Sequence, residues 1–477
     1  MSAADEDRAG CADALLDRFR AIVGPANALT GDAMASYLVE PRGLYRARAL
    51  CVLRPGSTGE VAALMELCAQ TRTPVTPQGG GTGLVGGQIP DTSGKGVVMS
   101  LRRMTALREI DPSSFTMTVE AGMSLADARS AAERAGLLFP LSLASEGSCT
   151  IGGNIASNAG GVAVIAYGAM RDLTLGVEAV LADGRVHRGL SKLRKDNTGY
   201  DLKDLFVGSE GTLGVVTAAT LKLFPRPAAV ETAFVGLASP QAALALLDLA
   251  REKCGGEIAA FELIPQIGVE FVIRRVEGLR DPLARPAPWR ALIELASARL
   301  DGLSDRLLSL LGEASARGVI EDAAIAASGA QRKAFWRLRE ELSDAQRFEG
   351  ASIKHDVSVA VSDVPAFLSE VETALERAAP GARLVAFGHL GDGNIHCNVS
   401  QPIGADKDAF LARWDEIADI VHAIVARFSG SASAEHGIGQ MKRALLARVK
   451  DPVALDLMRA VKRAFDPLGI LNPGKVL

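Results

Sequence analysis

Apolar residues recur along the chain in two rhythms. ADALLDRFRAIVG, within the first 35 residues, carries the three-to-four spacing of an amphipathic helix. From Leu50 the rhythms alternate: ALCVLRP predicts a strand, EVAALMELCAQT a helix, and PVTPQ a strand that runs into a glycine cluster. GVVMSL and FTMTVEAG predict further strands, SLADARSAAERAG a helix ending on Gly136, and LGVEAVLADGRV a hairpin turning on Asp183-Gly184. GVVTAATLKLF is the last strand before FPRPAAVE, where Pro225 and Pro227 stand too close for a helix or a central strand to continue, so a domain join falls near 226. Beyond it TAFVGL, EIAAFELI, RALIELA, ASIKHDVSVAV, RLVAFGHL and NIHCNVS alternate with helical stretches such as SPQAALALLDLAREK and DVPAFLSEVETALERAA. This predicts a second sheet covered by helices on one face. DEIADIVHAIVARF and PVALDLMRAVKRAFD close the chain as helices ahead of NPGKVL.

Composition narrows the class. At 477 residues, 48% hydrophobic and 23% charged, the chain has the balance of a folded protein of two or three domains. A net charge of -4 provides no field for gathering phosphates along a nucleic acid. The acidic start MSAADEDRAG lacks the features of a secretory signal, and no stretch approaches 18 uninterrupted apolar residues. The expectation is a cytoplasmic protein, at most peripheral to a membrane. Cys11, Cys51, Cys68, Cys149, Cys254 and Cys397 show no CxxC spacing and read as reduced packing residues. The 49 glycines, by contrast, cluster where backbone must approach a ligand.

Three such clusters lie in the first half. PQGGGTGLVGG, residues 77–87, sets Gly79, Gly80, Gly81, Gly83, Gly86 and Gly87 around Thr82 directly after a strand. Successive small residues open backbone N–H groups to a phosphate, although a mobile surface loop has the same composition. The run lacks the lysine of a P-loop and the GxGxxG of a dinucleotide turn. EGSCTIGGNIASNAGG, residues 146–161, and GSEGTLGVVT, residues 208–217, are the other two. Three loops suit a long ligand with a pyrophosphate in its middle and rings at both ends.

Chemistry also gathers in the second half. With Asp392-Gly393 as the central pair of a tight hairpin in FGHLGDGNIHCNV, His389 faces His396 directly and Asn398 shares their face. Two neighbouring imidazoles form a bidentate metal site, and Glu435 of SAEHGIG, beside His436, is the candidate carboxylate. The competing reading is ordinary packing histidines. WRLREELSD holds Arg337, Arg339 and Ser343, and IKHD holds Lys354 and His355. Arg339 and Ser343 stand at i and i+4 and share a helix face, which by itself reads equally well as a solvated surface.

Taken in order, PQGGGTGLVGG, GSCTIGGNIASNAGG, YGAMRDLTLGVEAVLADG, LRKDNTGYDLKDLFVGSEGTLGVVT, FGHLGDGNIHCNV, SAEHGIGQMKR and DPLGILNPGK resemble the flavin-dependent D-2-hydroxyacid dehydrogenases of the vanillyl-alcohol-oxidase-type flavoproteins, from about residue 40 to 477. The resemblance implies an α+β fold. An N-terminal helical segment, 1–35, precedes a PCMH-type FAD-binding domain of two subdomains, 36–226. A cap domain of antiparallel sheet and helices follows, 227–430, and the segment 431–477 returns to the FAD domain. By the same resemblance Pro77, Gly79, Gly80, Gly81, Thr82, Gly83, Leu84, Gly87, Gln88, Gly147, Ser148, Ile151, Gly152, Gly153, Asn158, Gly160, Gly161, Glu210, Gly211, Val216 and Asn472 hold FAD. Covalent members attach flavin through a histidine or cysteine near the first loop; residues 74–90 contain neither, so FAD is expected to be noncovalent.

The resemblance further implies a divalent metal, usually zinc, on His389, His396 and Glu435, with Arg339, Ser343, Lys354, Asn398 and His436 around the substrate. Ser343 stands where such enzymes commonly carry threonine, and the hydroxyl donor is kept. The implied reaction moves the α-hydrogen of a D-2-hydroxyacid to the flavin as hydride. His436 is the base, and two cations, Arg339 and Lys354, favour a dicarboxylate such as D-2-hydroxyglutarate. D-Lactate or glycolate oxidation, a non-catalytic electron-relay subunit, and a zinc hydrolase are the alternatives. The electron acceptor, an electron-transfer flavoprotein, quinone or cytochrome, has no motif here, and the family leans toward a homodimer.

Overall fold

The computed structural model describes residues 3–477, with side chains from residue 12 onward. The side chain of Cys11 lies outside the described residues. The other five cysteines are free and buried, and burial pushes the Cys51 and Cys397 thiols up to about 12, which keeps them unreactive. Among the described residues no helix is long and apolar enough to cross a membrane. Two compact units divide the chain. One takes it up to Gly160, then Ala169–Pro225 and His436–Leu477; the other takes Gly161–Gly168 and Arg226–Glu435. The N-terminal helix Ala3–Val23 belongs to the first unit, and Gly161–Gly168 belongs to the second despite its place in the sequence.

Besides a two-stranded pair, Leu137–Leu138 with Phe224–Pro225, the first unit holds two main sheets. In one, Cys51–Leu53, Val97–Ser100 and Val75–Gln78 run parallel, with Ala28–Leu29 antiparallel outside them. Parallel strands need a crossover, and helix Thr58–Thr71 makes the one from Cys51–Leu53 to Val75–Gln78, which flank Val97–Ser100 on either side. Ser57 caps this helix by accepting the Glu60 N–H, and Val61, Leu64, Met65 and Cys68 recur at three- and four-residue steps to bury one face. The other sheet is antiparallel, in the order Leu107–Asp111, Thr116–Glu120, Val215–Lys222, Thr174–Val180, Val186–Gly189. Its last two strands are the hairpin expected on Asp183-Gly184, with Gly184 at φ +87°. Glu178 fastens the crossover helix to this sheet: one carboxylate oxygen accepts from Thr58 Oγ1 at 2.7 Å, Thr217 Oγ1 at 2.9 Å and Arg108 Nη1 at 3.2 Å. The end of the chain adds to the parallel sheet, where the Val75 N–H donates to Ile470 O and the Asn472 N–H to Val75 O, both at 2.8 Å.

The second unit is one antiparallel sheet in the order Asp322–Ile325, Ala229–Leu237, Trp289–Ser297, Ile258–Pro265, Arg383–His389, Asn394–Ser400, Ser352–Ile353. Asp356–Ser358 continues the register of Ser352–Ile353 against Asn394–Ser400, with Ile353 opposite Val399 and Asp356 opposite His396. Strand side chains alternate between faces. Ala233, Val235 and Leu237 pack on the side covered by helices Pro240–Cys254, Leu303–Ala316, Val364–Ala378 and Trp414–Arg427. Phe234, Ile264, Leu292, Val385 and Phe387 face the other way, onto helices Gln266–Arg275 and Gly329–Glu340. The expectation of helices on one face is therefore corrected: both faces carry them. The reason is in the strands. Ile258–Pro265 is buried at every position, so neither of its faces can be left to water.

The hydroxyl and guanidinium bonds to Glu178 outweigh its burial and hold its carboxyl below the usual range. A depressed carboxylate contributes stability above its unfolded pKa and loses it as pH falls through the folded one. Glu178→Gln is expected to cost about 1.5 kcal/mol at pH 7. In denaturant titrations the gap from the parent protein should be constant above about pH 5 and close as the pH is taken to 3.

Candidate active site

The glycine-rich stretches of the first unit converge on one cleft enclosing about 920 Å³, open solvent included. Pro77, Gly79, Gly80, Gly81, Thr82, Gly83, Gly87 and Gln88 line it from the first loop, Gly152 and Gly153 from the second, and Glu210, Gly211 and Val216 from the third. The glycines are required by approach distance: a Cβ on Gly80 would lie 2.0 Å from Ser148 O, and Gly81 takes φ +72°. The loop is tied down by Arg102, whose Nη2 donates to Gly80 O at 2.6 Å, and by Gln88, whose Nε2 donates to Gly83 O at 2.7 Å. Its polar wall also includes Gln78, Thr150, Asn154, Ser157 and His436, the first four from within the first two glycine-rich stretches.

Leu84, Gly147, Ser148, Ile151, Asn158, Gly160, Gly161 and Asn472 do not line the cleft. Most of those in the first unit have structural work instead. The Leu84 carbonyl accepts from Arg42, Ile151 is fully buried, and Asn158, at φ +48°, accepts the Arg171 N–H. Asn472 Nδ2 donates to Gly87 O and Glu210 O, joining two cleft loops to the end of the chain. Glu210, itself at φ +52°, accepts the N–H groups of Ile438 and Gly439 at 2.7 Å each, so it anchors the segment that follows His436, and burial pushes its carboxyl up.

The second unit carries a different constellation on one face of its sheet. His389 pairs with Asn394, and His396 with Phe387. The two histidines are thus diagonal, not directly opposite. The expected two-residue turn is a four-residue loop, Leu390–Gly393, in which the N–H groups of Asp392 and Gly393 both turn back to His389 O. Gly393 is needed there, since a Cβ would meet Val359 O at 2.1 Å. A shift of two residues preserves the face, and the rings lie 6.1 Å apart. Their Nε2 atoms address the two oxygens of Glu435, at 3.5 Å from His389 and 3.9 Å from His396. The three ligand atoms lie within 4.8 Å of one another. A tetrahedral zinc with bonds near 2.1 Å places its ligand atoms about 3.4 Å apart, so the set is close to closing on one ion.

Carboxylates stand behind both rings. Glu262 Oε1 is 2.5 Å from His389 Nδ1, and Asp356 Oδ1 is 3.9 Å from His396 Nδ1. Glu262 and Asp356 are almost wholly buried. Burial opposes a charge on His389, yet the Glu262 and Glu435 carboxylates overcome it and raise the imidazole to about 10, whereas burial dominates at His396 and lowers it to about 4. The carboxylates of Glu262, Glu435 and Asp356 outnumber the cationic groups Arg339 and His389, so the face carries an excess of negative charge that a divalent cation would offset. The donor set therefore fits a metal such as zinc.

Arg339 is buried, donates Nε to Glu262 Oε2 at 2.6 Å and lies over the Phe387 ring at 4.8 Å. Ser343 is not one turn further along the same helix. Helix Gly329–Glu340 ends first, and Ser343 sits exposed on the short helix Leu342–Ala345, where its carbonyl is 3.4 Å from Lys354 Nζ. The strand register sets Lys354 opposite Asn398, on the histidine face. Asn398 is engaged at both ends, donating to Gln346 Oε1 at 3.0 Å and accepting the His355 N–H at 3.3 Å. Sequence reasoning missed Glu262 and Asp356. The signal for Glu262 was available: it is the one acid inside the apolar run IAAFELIP, and such a residue is buried only with partners.

Comparison with known proteins agrees with this layout. A family model for the FAD binding domain matches residues 49–189, and one for the C-terminal domain of FAD linked oxidases matches 226–476. The chain belongs to this family of FAD-linked oxidases, and it is an FAD-dependent dehydrogenase with a PCMH-type FAD-binding domain. Its curated relatives include D-2-hydroxyglutarate dehydrogenases. The mitochondrial enzyme of Danio rerio is 35% identical over 97% of this chain and 85% of its own length, and that of Stutzerimonas stutzeri (strain A1501) is 33% identical over 97% and 98%. Among solved structures, p-cresol methylhydroxylase (TM-score 0.76, 17% identity, 97% of this chain and 96% of that one) and alkyldihydroxyacetonephosphate synthase (TM-score 0.73, 16%, 97% and 84%) share the fold.

The cleft makes a direct test possible. Gly80→Val drives a side chain into Ser148 O and is expected to yield protein with native far-UV circular dichroism but less than about a tenth of the parent's flavin absorbance per chain.

Proposed function

We propose that this dehydrogenase oxidises a D-2-hydroxyacid to the 2-oxoacid, with D-2-hydroxyglutarate the preferred substrate. The observation that carries the reading is the set of His389, His396 and Glu435 on the same sheet face as Lys354, with Arg339 beside it. The names of the curated relatives support the substrate. When bound, noncovalent FAD in the cleft of the first unit supplies the hydride acceptor, and zinc on the three ligands supplies a Lewis acid for the substrate hydroxyl.

The chain's own groups do the rest. Arg339 has its Nε committed to Glu262 and its Cζ over the Phe387 ring; among the described residues no hydrogen bond takes its Nη1 or Nη2, so two donors remain for a carboxylate. Lys354 adds a second cation, the Ser343 hydroxyl a third donor, and Asn398 supports the strand beside them. A ring nitrogen of His436 takes the hydroxyl proton. A separate electron acceptor then reoxidises the protein, since two electrons must leave for each turnover.

Anaerobic titration of the flavin band tests the reading. D-2-Hydroxyglutarate should bleach it, chelation should abolish the bleaching and added zinc should restore it. Bleaching by D-lactate or glycolate alone would reject the dicarboxylate, and no bleaching by any hydroxyacid would reject the dehydrogenase site as drawn. Arg339→Lys keeps a charge beside Glu262 but loses the planar fork. It should raise KM for D-2-hydroxyglutarate about tenfold or more while leaving KM for D-lactate nearly unchanged.

A further inference from the structure

Glu262 is assigned no contact with substrate or metal in the reading above, yet it reaches two groups that are, His389 and Arg339. It sits on the strand Ile258–Pro265, directly opposite His389 in the register with Arg383–His389, and its side chain is inaccessible to solvent. Its two oxygens are divided: Oε1 holds His389 Nδ1 at 2.5 Å, and Oε2 holds Arg339 Nε at 2.6 Å. We propose that Glu262 is a positioning residue that locks the metal-ligating atom of His389 and the carboxylate-binding fork of Arg339 into one rigid unit. This rests on the reading of the site as a metal-assisted hydroxyacid dehydrogenase.

The argument is geometric. A bond to Nδ1 leaves Nε2 as the only ring atom of His389 available to a metal, and Nε2 is the atom that addresses Glu435. A bond to Nε of Arg339 restrains the swing of the guanidinium, whose Cζ lies over the Phe387 ring 4.8 Å from its centroid. The separation between the atom that anchors the hydroxyl end of a substrate and the donors that take its far carboxylate is therefore set by one side chain on a fully buried strand. Glu262 thereby acts on metal retention and on dicarboxylate preference together, although it touches neither ligand.

Glu262→Gln keeps the shape and removes the charge. In purified, flavin-loaded protein, zinc affinity is measured by competition with a chromophoric chelator, and KM is measured for D-2-hydroxyglutarate and D-lactate. The zinc dissociation constant should rise about 10- to 100-fold. With zinc saturating, KM for D-2-hydroxyglutarate should rise about tenfold more than KM for D-lactate. A residue that merely filled the core would lower thermal stability and move neither quantity. Unchanged zinc affinity in Glu262→Gln overturns the assignment while leaving the metal site standing; absence of zinc binding in the parent protein, or binding insensitive to His389→Ala, overturns the metal site itself. Where Glu262→Gln does not fold, Glu262→Asp, one methylene too short to reach both partners, is read in the same titration. It must weaken zinc, and unchanged affinity again overturns the proposal.

Discussion

A carboxylate carried into the middle of a dry sheet has to be matched there, because an unpaired buried charge costs several kcal/mol. Glu262 imposes this condition on the second unit. His389 and Arg339 meet it from two sides, Phe387 fills the space beneath the guanidinium, and the opposite-strand pairing of Glu262 with His389 sets how the neighbouring strands register. Breaking one partner away strands the other two. The functional face is thus tied together by its own electrostatics.

The first unit solves a different problem with almost no charge. Its cleft is walled by backbone, and side chains would spoil the approach of one loop to the next, as the contact between Gly80 and Ser148 shows. Precision then comes from behind, where Arg102, Gln88 and Asn472 each bind carbonyl oxygens of the lining loops. Glu210 and Asn158 hold left-handed backbone without being glycine, a conformational cost that the surrounding hydrogen bonds offset.

Much of this was legible in the chain because it depends on local rules. The crossover helix from Thr58 to Thr71, the hairpin at Gly184 and the helix stop at Gly136 follow from caps and positive-φ glycines. The shared face of His389, His396 and Asn398 follows from period two. What escaped depends on pairs far apart in sequence. Nothing near Asp392 announces that the loop is four residues long; the decision lies in Gly393 packing on Val359 O. The end of a helix between Arg339 and Ser343 is equally silent, since Glu341 keeps helical dihedrals. Helices on both faces could have been anticipated from strands without polar alternation, such as Ile258–Pro265.

The route of the chain bears on how the protein is made. The first unit is interrupted twice by the second, and its parallel sheet receives Ile470 and Asn472 beside Val75 only when the last residues are present. During synthesis the inserted unit has all its strands by Ser400 and can settle first, while the earlier-made glycine loops wait for a terminal segment that arrives several seconds later at ordinary elongation rates of roughly 5–20 residues per second. Completion of the glycine-lined cleft is in this sense a late step in folding, and removal of residues 468–477 takes away the asparagine that braces it while leaving every strand of the second unit in the chain.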